Sequence, residues 1–159
     1  MIHIPSWLII GGTTFLVAFL FNRIFPTNYR WFMRLKRPRW LTFEWAIPLI
    51  WTIIFICLSW SAYDVWESNP GDRNTWFLMI FYLMLELMIL AYTPFMCAMR
   101  SLTVGIIIGG LGFILGLILA ILIYPLSSWG FILILPYLLW SPIGTYVTWE
   151  MIKLNPGNA

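Results

Sequence analysis

Charge is what this sequence has least of. Of its 159 residues only 9% are Asp, Glu, Lys or Arg, against about 25% in an ordinary globular domain. Hydrophobic residues make up 62%. A soluble core cannot hide that much apolar surface, and left exposed in water it aggregates. A bilayer solvates it instead. Cysteine and histidine are scarce as well. Cys57 and Cys97 both lie inside apolar runs and read as small buried hydrophobes. They supply neither a disulfide framework nor metal-ligand spacing. The one histidine, His3, sits in the N-terminal tail. A Ser-His-Asp triad, a histidine-based metal site and a phosphate-binding glycine loop are therefore not expected.

What the sequence does contain is a series of long apolar runs. A span of the hydrocarbon core needs about 20 apolar residues. Five segments qualify, at about 5–22, 45–63, 76–99, 102–124 and 128–152. The fold class expected is an all-α integral membrane protein, a single five-helix domain over 1–159. The first segment competes with a signal peptide. Met1-Ile2-His3 carries no Lys or Arg and no clear cleavage site follows, so a mature helix is expected. The absence of a transit sequence points to a bacterial membrane. Asn69-Pro70-Gly71-Asp72 marks a turn between the second and third spans. Residues 101–149 carry no charge, and Pro125 with Ser127-Ser128 breaks that stretch into two spans.

Loop 1, about 23–43, holds Arg23, Arg30, Arg34, Lys36, Arg37 and Arg39, with Trp31 and Trp40 between them. With Arg100 and Lys153 it places eight of the nine basic residues on one side of the membrane. The positive-inside rule then puts loop 1 and the C-terminus in the cytoplasm and the N-terminus outside. Such a loop binds lipid headgroups or forms a cationic lid over a cavity. It is too short and too closely tethered for nucleic acid.

Three patterns mark where helices or a ligand meet. The fourth span carries Gly105, Gly109, Gly112, Gly116 and Ala120 at four- and three-residue intervals. Small residues so spaced let helices approach closely, within the bundle or between two copies. On the fifth span Tyr137, Trp140, Gly144 and Thr148 share a face framed by Pro136 and Pro142. Leu135, Leu139, Ile143 and Val147 fall on faces that suit lipid. On the third span Tyr82, Glu86, Ile89 and Thr93 share a face. Glu86 is near mid-span, where an ionisable group is costly unless protonated, paired or facing a wet cavity.

At loop 1 the pattern becomes specific. Trp31-Phe32-Met33-Arg34-Leu35-Lys36-Arg37-Pro38-Arg39-Trp40 resembles the loop-1 signature W-[YF]-x-x-L-x-K-P-x-W of the TspO/translocator protein family, the tryptophan-rich sensory proteins. Trp45 and Trp51-Thr52 follow as in that family's second helix. Pro136-Tyr137-Leu138-Leu139-Trp140 and Gly144-Thr145-Tyr146 resemble its fifth-helix pattern, and Lys153-Leu154-Asn155 its basic-x-Asn ending. The third-span amides of the family are Leu85 and Ile89 here, and Glu86 is the expected replacement.

The resemblance implies a five-helix bundle, often dimeric, with a pocket closed by loop 1. It implies a tetrapyrrole ligand such as protoporphyrin or haem, or a similar lipophilic molecule, with no required cofactor. The ligand contacts implied by motif position are Trp31, Pro38, Trp40, Trp51, Trp140 and Gly144; the helix faces add Tyr137 and Glu86. The leading expectation is a tetrapyrrole-binding protein in transport, regulation or stress response. Alternatives are a transporter using Glu86 as a proton-linked site, an enzyme that breaks down porphyrin in light with Trp51 and Trp140 as electron donors, and a structural partner acting through the glycine stripe.

Overall fold

The computed structural model describes residues 4–158, so His3 lies outside the described residues. The chain forms α1 (Ser6–Ile24), α2 (Tyr29–Met33), a 3-10 turn (Glu44–Ala46), α3 (Ile47–Ser68), α4 (Arg73–Met99), α5 (Leu102–Ile123), α6 (Ser128–Leu154) and a 3-10 turn (Pro156–Asn158). Five segments, α1, α3 with its preceding turn, α4, α5 and α6, are long and apolar enough to cross a membrane. They are the five spans expected, in order.

The boundaries move for local reasons. The second span does not stop at Asp64. It runs on to Ser68 because Val65 is buried and the Asp64 carboxylate accepts a hydrogen bond from Ser127. Asn69 through Gly71 then ends it, and Gly71 takes a φ of 80° that suits glycine alone. The next helix starts earlier than expected, because Asp72 caps it by accepting from the Asn74 N–H at 3.0 Å. Loop 1 is not all loop. Asn28 accepts from the Arg30 N–H and opens the single-turn helix α2. Between α4 and α5 only Arg100 and Ser101 intervene, and Arg100 makes the turn in the left-handed region.

Contacts set the arrangement. α5 lies between α4 and α6, α3 packs on α6, and α1 packs on α3 and more lightly on α4. No described residue of α1 is buried, so α1 is the peripheral helix. The core cluster runs through Ile54, Leu58, Leu85, Leu119 and Ile134. Large apolar side chains such as Phe15, Trp45, Ile121 and Leu139 lie exposed on the outside, where lipid covers them.

The glycine stripe of α5 is spent inside the protomer. Gly105 faces Met96 and Thr148, Gly109 faces Tyr92 and Thr145, and Gly116 faces the Tyr137 ring. The face that would have paired two copies is therefore covered by α4 and α6 of the same chain.

The basic end of the bundle is expected on the cytoplasmic side. A cysteine at Arg34, exposed in loop 1, should resist a membrane-impermeant maleimide applied to intact cells and react once they are permeabilised. Reaction in intact cells reverses the orientation.

Candidate functional site: a cavity beneath loop 1

A cavity of about 530 Å³ lies between α3, α4, α5 and α6 at the loop-1 end. Trp51 and Phe55 reach it from α3, and Trp140 from α6. Tyr137 and Gly144 complete the α6 side, and Gly109 and Gly112 contribute from α5. Four of the eight expected contacts thus converge here: Trp51, Tyr137, Trp140 and Gly144. The helical spacing of Tyr137, Trp140, Gly144 and Thr148 placed one face of α6 on the cavity. Val147, assigned above to lipid, lines the cavity as well and packs beside Met151 and Leu102.

Several of the polar side chains here are engaged with one another or with the backbone. Tyr92 and Thr148 share a short hydrogen bond that ties α4 to α6. The Thr148 hydroxyl also lies 3.2 Å from the Gly144 carbonyl. Tyr92 was not singled out from the sequence. Its signal was its spacing one turn past Ile89 and Met88, both of which line the cavity.

The remaining expected contacts have different roles. Trp31, Pro38 and Trp40 do not line this cavity; they hold loop 1 down as a lid. The Trp31 indole donates to Asn158 at 2.9 Å, and the Trp40 indole donates to Glu150 at 2.7 Å. Pro38 is buried in the lid itself. Leu35 is buried with Met96, Leu102 and Met151. Asn155 clamps the lid backbone twice: it accepts from the Lys36 N–H and donates to the Lys36 carbonyl, both at 2.9 Å. This accounts for the asparagine that closes the basic-x-Asn ending. Trp40 stands 6.1 Å from Tyr146, and Phe43 meets Trp140 edge-on at 6.3 Å, so aromatic contacts carry the lid down to the cavity wall.

Of the loop-1 cations only Arg37 lines the cavity among the described residues. Its guanidinium pairs with Glu44 at 2.6 Å and lies over the Phe32 ring at 4.8 Å. Glu86 is a correction. It does not replace the missing amides in this wall; it opens on a separate cavity between α1, α3 and α4. The third-span face was read as one stripe, but α4 passes from one cavity to the other along its length. Tyr82 and Glu86 face the second cavity, whereas Ile89 and Thr93 face the first. Phe55 lines both and partitions them.

The Asn155 clamp is testable. Each of its two hydrogen bonds is worth about 0.5–1.5 kcal/mol, so Asn155→Ala should speed amide exchange across residues 29–41 by roughly tenfold or more. Exchange in α5 should be unchanged. Wild-type exchange throughout the lid contradicts the clamp.

Comparison with known proteins agrees with the fold. The TspO/MBR family profile matches residues 8–154. An uncharacterized membrane protein, YtaB of Bacillus subtilis, is 30% identical over 135 residues, covering 83% of this chain and 84% of the relative. The tryptophan-rich protein TspO of Bacillus cereus is 24% identical over 154 residues, covering 94% and 97%. The tryptophan-rich sensory protein of Cereibacter sphaeroides is 22% identical over 125 residues, covering 79% and 77%. With a family profile matched over nearly its whole length and five membrane-spanning helices in the expected order, this chain belongs to the TspO/MBR family of multi-pass membrane proteins.

Proposed function

We propose that this protein binds a tetrapyrrole, or a lipophilic molecule of the same flat shape, in the cavity beneath loop 1. The observation that carries the reading is the pair of indoles, Trp51 and Trp140, on one cavity that a fastened lid covers. A porphyrin is a flat apolar ring with carboxylates at one edge. Aromatic walls suit the ring. Arg37 suits a carboxylate, once it exchanges Glu44 for the ligand. A volume of about 530 Å³ falls in the range of ordinary ligand pockets. The role that follows is tetrapyrrole handling in a bacterial membrane, by transport, regulation or stress response. Because the α5 stripe is occupied, a homodimer would form through another face.

Transport driven through Glu86 in the same site has less support, since Glu86 opens elsewhere. Light-driven breakdown keeps one supporting observation, two indoles within reach of one pigment. A single experiment separates binding from breakdown. Purified protein in detergent is titrated with protoporphyrin, in the dark and then under illumination. Binding alone gives saturable tryptophan quenching in the dark and a stable pigment spectrum in light. Breakdown gives loss of the spectrum only when protein and light are both present. No saturable quenching in the dark contradicts the reading.

A further inference from the structure

We propose that the second cavity, between α1, α3 and α4, is a separate ligand site that takes a lipophilic amine from the bilayer and meets its ammonium with the Glu86 carboxylate. This cavity measures about 620 Å³ and runs from Glu86 toward Trp66 and Trp76 at the end of the bundle away from loop 1. It is distinct from the proposed tetrapyrrole site, with Phe55 between them. Ile9 and Ile80 line it and are also exposed on the outer surface, so it communicates with lipid.

Glu86 is what makes this a site and not a gap. Its side chain is 8% exposed, and its Oε1 is buried with no hydrogen-bond partner among the described residues. The hydroxyl one turn before it on α4 is spent: Tyr82 pairs with Ser61 at 2.5 Å. A buried polar atom left without a partner costs about 1–3 kcal/mol. A ligand that donates to this oxygen recovers that cost.

Charge selects the donor. No Lys, Arg or His is found among the described lining residues. The same end of the bundle carries Asp64, Glu67 and Asp72 against Arg73. An anion is repelled there. A neutral alcohol offers an ordinary hydrogen bond, and an ammonium offers a charge-assisted one of roughly twice the strength. Leu58, Ala62, Met79 and Leu83 supply the apolar wall for the ligand's body.

The test uses the full chain in lipid nanodiscs. The probe is dodecylamine carrying a diazirine in its chain, with the matching diazirine dodecanol as comparison, and labelled peptides are mapped by mass spectrometry. The amine should label α1, α3 and α4 around the second cavity saturably. Glu86→Gln should weaken that labelling by about tenfold, the value of one charge-assisted contact, and leave dodecanol labelling unchanged. Ser59→Phe leaves Glu86 in place and narrows the cavity, so it should weaken saturable labelling by both probes; this variant decides the matter if Glu86→Gln does not fold. Protoporphyrin quenching should be the same in wild type and Glu86→Gln, so failure here is distinguishable from failure of the tetrapyrrole site. Amine labelling that either variant leaves at its wild-type level, or that spreads evenly over the lipid-facing side of α5, overturns the proposal.

Discussion

Gly116→Leu is expected to destabilise the bundle by about 3 kcal/mol or more, at the upper end of what overpacking costs. A Cβ at Gly116 would fall within 2.9 Å of the Tyr137 ring at Cδ1, closer still at Cε1. Tyr137 is only 2% exposed and has nowhere to retreat. α5 and α6 must then separate, and the contact between them is the most extensive in the fold. Gly110 provides the control on the same helix. A Cβ there meets nothing within 4 Å, so Gly110→Leu should stay within about 0.5 kcal/mol of wild type. Thermal melting of both variants in one detergent is the measurement. If Gly116→Leu melts with Gly110→Leu, the stripe is not the packing seam described above.

The second large effect concerns the ligand. Trp140→Ala should weaken protoporphyrin binding by about 1–3 kcal/mol, by analogy with the loss of one aromatic stacking partner for a nucleobase. Trp51→Ala should act in the same direction, because its side chain lines the same cavity. Trp140→Phe keeps a stacking face and should keep most of the affinity. Trp140 also meets Phe43 of the lid, so melting must be compared first. If both alanine variants, singly and together, bind as wild type does, the indoles are packing residues and the ligand sits elsewhere.

How much of this was legible beforehand depends on what each residue answers to. The spans were legible because a bilayer demands length and apolarity, and both are written in composition. The face of α6 was legible because Tyr137, Trp140, Gly144 and Thr148 repeat at helical spacing. The glycine stripe was legible as a seam, but spacing does not name the partner; the partner is Tyr137, Tyr92 and Thr145 of the same chain. Glu86 was legible as an exception, but it opens on the second cavity and not on the one beneath loop 1. Periodicity assigns a face to a helix, and α4 faces two cavities in succession. Trp31, Pro38 and Trp40 were found through their motif, yet their contacts depend on where the C-terminus lands. Asn155, Asn158 and Glu150 come more than 100 residues later in the chain, and no local pattern announces such pairings.

The central claim is that the ligand occupies the cavity beneath loop 1, and Gly144→Leu tests it most directly. Gly144 lines that cavity, and a Cβ there meets no heavy atom within 4 Å. The added side chain therefore starts in open space and not against a neighbour. The measurement is dark titration with protoporphyrin, read by tryptophan quenching, on a variant already shown to melt like wild type. Loss of saturable quenching is the result predicted. Quenching that saturates with wild-type affinity contradicts the account, because a ligand in this cavity has to meet the added side chain.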